Sequence, residues 1–210
     1  NDLTDFGKLM NWPLTTFKDS EVTKKTFRDT VRNYILAMKA DDELIIQYSG
    51  HGTRVRDTSG DEEDGYDEAL YLYDGTFIDD EFNEIMNLIP AGAKVIVILD
   101  SCFSGTATRN IGRYRKSKYV QTDPVLEHAK RVVKPSQLNH LVISGCQSHQ
   151  TSSDAYINHR YNGALTRALI ENYGHKTYKQ WVDDCIFWLH SRGFEQVPTL
   201  EGPEGMINSF

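Results

Sequence analysis

Hydrophobic and polar positions along the chain follow two periods, one helical and one extended. Apolar residues at helical spacing predict helices over Thr23–Lys39, Asp79–Ile89, Asn162–Asn172 and Thr177–His190. Short apolar runs predict strands at Leu14–Phe17, Leu44–Tyr48, Ala69–Tyr73, Lys94–Leu99, His140–Ser144 and Gln196–Leu200. Strands that alternate with helices in this way predict an α/β fold with three layers, a mostly parallel central sheet with helices on both faces.

Two long stretches lack either period. Residues 53–67 are polar and acidic, which predicts a long loop. Residues 106–139 are rich in basic side chains and too long for an ordinary connection, so we expect a functional or mobile segment. We therefore predict one domain over residues 1–210, with a larger part at 1–105, a basic linker at 106–139 and a smaller part at 140–210.

Composition narrows the classes of function. The chain has 210 residues, 39% of them hydrophobic and 25% charged, as in a globular domain with a substantial core. Its longest apolar run, Val95–Leu99, is far shorter than the roughly 18 residues of a membrane span, so we expect no membrane association. The net charge of −7 argues against nucleic-acid binding. Three widely spaced cysteines predict neither a disulfide framework nor a zinc site, which favours a reducing compartment, the cytoplasm.

Two of the predicted strands end in chemically reactive groups. One delivers His51 between Gly50 and Gly52, and the other is followed by Cys102. If the strands are parallel neighbours, a cysteine nucleophile and a histidine acid or base meet at one edge of the sheet. The backbone N–H groups of Gly52 and Cys102 then suit a developing oxyanion. The alternative from the residues alone is a buried structural cysteine and a histidine that caps a strand.

The sequences of these two motifs resemble those of a known family. Tyr48-Ser49-Gly50-His51-Gly52 and Leu99-Asp100-Ser101-Cys102-Phe103-Ser104-Gly105 resemble the caspase-fold cysteine peptidases, most of all the metacaspases and their bacterial relatives. Further similar stretches follow in the family's order, at residues 57–68, 78–81, 143–147, 150–152 and 162–166. The resemblance implies a caspase-like fold and a cysteine endopeptidase, with Cys102 as nucleophile and His51 as its catalytic partner.

The resemblance also implies a substrate preference. Metacaspases cut after Arg or Lys, and their specificity pocket is acidic. The positions that match the pocket are Asp2, Ser49, Asp100 and Ser144. Carboxylates in a partly desolvated pocket suit a guanidinium or an ammonium group. The alternatives are a helix or turn cap for Asp100 and a frayed terminus for Asp2.

Calcium is a further implication of the family. Asp67, Asp79 and Asp80 match its calcium ligands, and carboxylate oxygens suit that ion. Arg109 stands where the family has another carboxylate, so we expect a weakened or absent site. The alternative is a solvated acidic loop with an aspartate that caps a helix.

The basic linker is a candidate for self-cleavage, because an enzyme that cuts after basic residues finds its own substrate there. The candidate positions are Arg109, Arg113, Arg115, Lys116, Lys118, Lys130 and Arg131. The alternative is a solvated loop or a patch for an acidic partner.

Asn1-Asp2 resembles the pair that follows the first strand of the family fold. We therefore expect that strand upstream of residue 1, as an associated N-terminal fragment that completes the sheet.

Two other functions stay open. One is a non-catalytic caspase-like scaffold or regulatory domain, and the other is a different α/β hydrolase, against which the missing Gly-x-Ser-x-Gly motif counts.

Overall fold

The computed structural model describes residues 2–56, 66–101, 115–117, 138–145, 153–157, 160–174 and 177–210. The helices are α1 (Asp2–Met10), α2 (Lys24–Ala37), α3 (Asp79–Met86), α4 (Ala164–Glu171), α5 (Tyr178–Ser191) and α6 (Glu204–Ile207), with a 3-10 turn at Asp19–Glu21. The strands are β1 (Glu43–Ser49), β2 (Gly52–Arg56), β3 (Tyr66–Leu72), β4 (Gly75–Ile78), β5 (Lys94–Asp100), β6 (Arg115–Ser117), β7 (Leu141–Ser144), β8 (Ser153–Ile157), β9 (Arg160–Gly163) and β10 (Thr199–Glu201).

The main sheet has the strand order β1-β5-β7-β10. β1, β5 and β7 are parallel, and β10 runs antiparallel to β7. The apolar strand β5 lies between two partners, and Val95–Ile98 are fully buried. Two smaller antiparallel sheets, β2-β3-β4 and β6-β8-β9, accompany the main sheet. This arrangement confirms the predicted α/β class with a mostly parallel central sheet.

Apolar side chains cover both faces of the main sheet and make a three-layer structure. On one face α1, α4 and α5 pack over Ile96 and Ile98, with Trp181 and Leu165 among the buried residues. On the other face α2 and α3 pack over Val95 and Val97. Within the described ranges, no helix has the length and apolar character needed to cross a membrane.

The predicted helix starts agree with observed caps. Thr23 accepts a hydrogen bond from the Thr26 N–H, and Thr177 accepts one from the Gln180 N–H, each at 3.1 Å. Both threonines stand in the extended conformation typical of an N-cap. The long helices α2 and α5 therefore begin where their sequences predict.

Two predictions of local structure are wrong. Residues 14–17 form no strand, and none of the described strands pairs with them. The predicted loop at 53–67 instead begins and ends in strands, since β2 pairs with β3 from Gly52↔Leu70 to Arg56↔Tyr66. Asp2 is the first residue of α1, and the strand expected to precede it stays a prediction. Within the basic linker, Arg115–Ser117 form β6 and pair with β8.

Candidate active site

The carboxyl ends of β1 and β5 lie side by side, as the two reactive motifs require. The strands are parallel and in register from Glu43↔Lys94 to Ser49↔Asp100. His51 follows Ser49 by two residues and is exposed to solvent at this edge. The Gly50 N–H donates to the Asp100 carbonyl oxygen at 3.4 Å, which continues the pairing beyond the strand end. The expectation that these strands are neighbours is confirmed.

The proposed nucleophile Cys102 lies outside the described residues. Asp100 and Ser101, which directly precede it, are both buried. Gly52, the other proposed oxyanion donor, is the first residue of β2 and is buried opposite Leu70. The dyad and the oxyanion site therefore remain predictions.

Tyr48 holds the backbone of the His51 loop. Its hydroxyl lies 2.9 Å from the carbonyl oxygens of both His51 and Tyr71, and it has one proton to donate to them. The Tyr71 N–H also donates to the His51 carbonyl oxygen at 2.9 Å. Burial raises the pKa of the Tyr48 phenol, so this group remains a donor in neutral and mildly alkaline solution. The sequence alone predicts no role for Tyr48, although this residue opens the motif that contains His51.

Asp100 is fully buried beneath the N-terminus of α4. One of its carboxylate oxygens accepts hydrogen bonds from the Thr166 N–H at 2.8 Å and the Thr166 hydroxyl at 2.7 Å. Thr166 is the third residue of α4, whose own N-cap residue Gly163 supplies no side-chain cap. The carboxylate therefore caps this helix from a distant strand, which is the structural alternative considered for Asp100. Its role as a pocket carboxylate remains a prediction.

Gln47 extends this contact to a third element. Its side-chain amide donates to the Thr166 hydroxyl oxygen at 3.1 Å. Gln47 lies on β1 opposite Ile98 of β5, in a strand whose neighbouring positions are apolar. A polar residue in such a run was the signal in the sequence that a partner was needed. Nothing local in the sequence identified the partner as Thr166.

The other proposed pocket residues are located only in part. Ser49 pairs with Asp100, and Ser144 pairs with Leu99 at the end of the neighbouring strand β7. The Gly145 N–H donates to the Leu99 carbonyl oxygen at 2.8 Å, so the pairing of β5 and β7 continues beyond the end of β7. Ser49 and Ser144 thus share one edge of the sheet with Asp100. The side chain of Asp2 is not described.

The described residues do not assemble the expected calcium site. Asp79 and Asp80 begin α3, and the Asp79 carboxylate accepts the Asp80 N–H at 3.1 Å. Asp67 belongs to β3, but its side chain is not among those described. No group of three or more His, Cys, Asp or Glu side chains suited to a metal occurs in the part of the chain that the structure describes.

Most of the self-cleavage candidates fall outside the described residues. These are Arg109, Arg113, Lys118, Lys130 and Arg131. Arg115 and Lys116 lie in β6, opposite Ala155 and Asp154 of β8. A peptide bond must be extended and accessible to enter a peptidase site, and a strand already paired in a sheet is a poorer candidate than a loop.

An open groove of about 900 Å³ runs along β1 and ends at His51. One wall is the apolar run Leu44–Ile46 of β1, and the other includes residues 13–19, which carry the 58% exposed side chain of Leu14. β1 is the terminal strand of the main sheet, with β5 as its single partner among the described residues. The groove therefore follows a strand edge whose backbone groups face no other described strand.

Comparison with known proteins finds similarity to one family of peptidases. A family model described as the metacaspase, peptidase C14 domain matches residues 9–110. Metacaspase-1 of Schizosaccharomyces pombe is 30% identical over 195 residues, which cover 71% of this chain and 46% of the relative. Metacaspase-1 of Arabidopsis thaliana is 36% identical over 162 residues, which cover 71% of this chain and 43% of the relative. The chain thus spans about half the length of these relatives.

Solved structures agree on the fold. A crystal structure of a Geobacter sulfurreducens protein matches with a TM-score of 0.77 and 25% identity, over 100% of this chain and 86% of that one. Caspase-1 from Spodoptera frugiperda matches with a TM-score of 0.61 and 14% identity, over 96% of this chain and 78% of that one. The second similarity is one of fold alone.

Proposed function

Because this chain belongs to the metacaspase type of caspase-fold peptidases, we propose that it is a cysteine endopeptidase whose dyad is Cys102 and His51. The observation that carries the proposal is the parallel register of β1 and β5, in which Ser49 pairs with Asp100. His51 and Cys102 each follow one member of that pair by two residues. Two reactive side chains at the carboxyl ends of adjacent strands are the arrangement that acyl transfer by a thiol requires.

The proposed reaction has two stages. The Cys102 thiolate attacks the carbonyl carbon of the scissile bond, and His51 gives a proton to the leaving amine as the C–N bond breaks. Water then hydrolyses the thioester and regenerates the thiol. The N–H groups of Gly52 and Cys102 stabilise the oxyanion in both stages. His51 is supported in this role by its exposure at the sheet edge and by the fixed backbone beneath it.

We propose Arg or Lys before the scissile bond, selected by Asp100 with Ser49, Ser144 and Asp2. The carboxylate of Asp100 supports this preference, because a buried anion favours a cationic side chain over a neutral one. A charge-assisted hydrogen bond contributes about 1.5–3 kcal/mol, so Asp100→Ala should lower kcat/KM for basic substrates roughly 10–200-fold. A preference for Asp before the scissile bond would contradict the proposed pocket.

The test of the proposed function is cleavage of a peptide library by the purified chain. Cys102→Ala and His51→Ala should each lower turnover by about a hundredfold or more, because each removes one member of the dyad. Turnover within tenfold of the unaltered chain in either variant would show that the dyad is misassigned. A substrate-like probe that reacts with thiols separates the peptidase from a non-catalytic scaffold, since a scaffold leaves Cys102 unlabelled.

Self-processing and calcium are further parts of the proposal. Self-cleavage should fall between Arg109 and Arg131, stop in Cys102→Ala, and be mapped by mass spectrometry of stored protein. Calcium should have a weak effect through Asp67, Asp79 and Asp80, because Arg109 replaces a family carboxylate. Submicromolar calcium binding measured by calorimetry would contradict this. We place the reaction in a reducing compartment, the cytoplasm, where the thiol persists.

We further propose that an extended segment preceding Asn1 in the whole protein lies in the groove along β1 as an added strand. Three features support this occupant. The open edge of β1 can form backbone hydrogen bonds, as in strand addition. The sequence of β1, Glu43-Leu44-Ile45-Ile46-Gln47, is apolar at its centre, whereas exposed edges usually carry charges there. The opposite wall at residues 13–19 has no regular structure before its 3-10 turn and offers a second backbone to pair with.

Denaturing mass spectrometry of the natural protein tests the added strand. The expected result is either a longer chain or a second peptide that copurifies with this one. A single species of 210 residues that is stably folded and fully active would contradict it. A peptide from the upstream segment should also raise the melting temperature of the isolated chain, whereas a peptide of the same composition in scrambled order should not.

A further inference from the structure

We infer that Thr166, oriented by Gln47, is a positioning residue for the substrate-selecting carboxylate of Asp100. This inference rests on the proposed function, because it assumes that Asp100 selects the basic side chain of the substrate. Its basis is a chain of three buried or half-buried polar groups on three different elements: Gln47 on β1, Thr166 on α4 and Asp100 on β5.

The direction of each hydrogen bond follows from the number of protons available. The amide nitrogen of Gln47 can only donate, so the Thr166 hydroxyl oxygen accepts from it at 3.1 Å. The hydroxyl has one proton left, and the carboxylate of Asp100 at 2.7 Å is its acceptor. The Thr166 N–H donates to the same carboxylate oxygen at 2.8 Å. Gln47 therefore orients the Thr166 proton toward Asp100.

Geometry makes this arrangement specific. Both donors of Thr166 converge on Oδ2 of Asp100, so α4 fixes the position of that carboxylate oxygen. Asp100 and Thr166 are each fully buried, so water does not compete for these contacts. The N-terminus of α4 adds a positive potential at the same oxygen. The carboxylate is thus held in one orientation before any substrate arrives.

An orientation fixed in advance matters for a guanidinium ligand, which needs an acceptor in one plane. Without the Thr166 hydroxyl, the Asp100 carboxylate loses one of its donors and gains rotational freedom. The expected consequence is a loss of discrimination between a charged and a neutral side chain. General turnover of peptides is expected to change less, because neither Gln47 nor Thr166 belongs to the proposed dyad.

The test compares two peptides that differ in one group, with arginine or its neutral isostere citrulline before the scissile bond. The measured quantity is the ratio of kcat/KM for arginine to that for citrulline. Thr166→Val keeps the shape but lacks the hydroxyl, and should lower the ratio about tenfold. Thr166→Ser keeps the hydroxyl and should retain the ratio within about twofold. Gln47→Met should lower it about threefold, because the Thr166 proton is then free to rotate.

Two control variants separate the possible failures. Asp100→Asn keeps an acceptor for α4 but removes the charge, so it should abolish the preference for arginine while the chain stays folded. If the unaltered chain shows no preference for arginine, or if Asp100→Asn keeps that preference, the proposed pocket is wrong. The positioning role of Thr166 is then wrong as well. If Asp100→Asn abolishes the preference but Thr166→Val only lowers the melting temperature, the pocket stands and the positioning role is overturned. Should Thr166→Val fail to fold, an unchanged ratio in Gln47→Met overturns it equally.

Discussion

At the scale of single residues, the space beside Gly50 links the shape of the His51 loop to Tyr48. A Cβ atom added at Gly50 would lie 2.5 Å from the Tyr48 hydroxyl oxygen and 2.6 Å from the ring carbon that carries it. The ring cannot move without giving up its contacts with the His51 and Tyr71 carbonyl oxygens. Any side chain at position 50 therefore displaces the backbone that presents His51.

We predict that Gly50→Ala lowers peptidase activity about tenfold or more and the free energy of unfolding by about 1–3 kcal/mol. Gly205→Ala in α6 is the matched control, because a Cβ there meets nothing within 4 Å. It should leave activity unchanged and stabilise the chain by up to about 1 kcal/mol. Urea unfolding and peptide hydrolysis measure the two effects, and equal behaviour of the two variants would contradict the steric argument.

Three acidic groups with raised pKa values should make the protein sensitive to alkaline solution. Burial raises the pKa of the Cys185 thiol from its ordinary value of 9.0, and that of the Tyr48 phenol from 10.0. Burial, together with the hydrogen bond to Glu43, also raises the pKa of Tyr178. Above about pH 9 the folded chain therefore holds protons that the unfolded chain has released.

The sign of the effect follows directly, since stability falls with pH wherever the folded state binds more protons. We predict that the free energy of unfolding is constant with respect to these groups below about pH 9 and decreases above it. Each group contributes up to about 1.4 kcal/mol per pH unit. Cys185→Ala and Tyr178→Phe should each reduce the slope measured by urea unfolding between pH 8 and 11. Slopes identical to that of the unaltered chain would show that these groups do not hold their protons.

The residues of the site differ in how far the sequence could reveal them. His51 lies in a short motif after an apolar strand, so the sequence is sufficient to propose it. The capping of α4 by Asp100 joins positions 66 residues apart, and no local pattern reports such a contact. Gln47 and Thr166 are 119 residues apart, and only the packing of α4 on the sheet brings them together.

At the scale of helices and strands, the periodicity of apolar residues identified the elements that cover the core. It did not identify strands with polar sequences. Helices α2 and α5 begin at threonine caps because their apolar stripes and caps agree. β2 was missed because Gly52-Thr53-Arg54-Val55-Arg56 looks polar, although Thr53 is fully buried against β3. Residues 14–17 have the composition of a strand but lack a partner, and β-structure depends on pairing as much as on propensity.

The glycine that follows the last strand, β10, offers a test of how tightly β10 packs against β7. Gly202 follows β10 with a φ of +146°, and a Cβ there would lie 2.6 Å from the carbonyl oxygen of His140, just before β7. Gly174 has a φ of +111° but meets nothing within 4 Å. The two glycines share a backbone conformation that disfavours side chains, and only Gly202 adds a collision with backbone.

We predict that Gly174→Ala costs about 1–2 kcal/mol of unfolding free energy, from strain alone. Gly202→Ala should cost about 1–3 kcal/mol more, because β10 must move away from β7. Chemical denaturation of both variants gives the difference directly. Equal losses of unfolding free energy in the two variants would mean that β10 can move away from β7 without destabilising the chain.

At the scale of the whole molecule, the sequence predicted the class of sheet but not the position of each strand in it. The run Leu44–Ile46 is typical of a parallel strand buried on both faces, as β5 is. Among the described strands β1 instead lies at the end of the sheet, and of those three residues only Ile46 is classed as buried. Strand order depends on contacts between distant segments, and a single sequence does not state them.

Hydrogen exchange of the β1 amides decides whether this edge is closed in the whole protein. Successive N–H groups of a strand point to opposite edges, so with β5 as sole partner only alternate amides between Leu44 and Ser49 are protected. We predict this alternating pattern for the chain that begins at Asn1, and protection of every amide when the preceding residues are present. β5, which is paired on both sides, is the internal reference and should be protected in both cases. If the alternating pattern persists in the longer protein, the groove is not filled by a strand and its apolar wall must serve another partner.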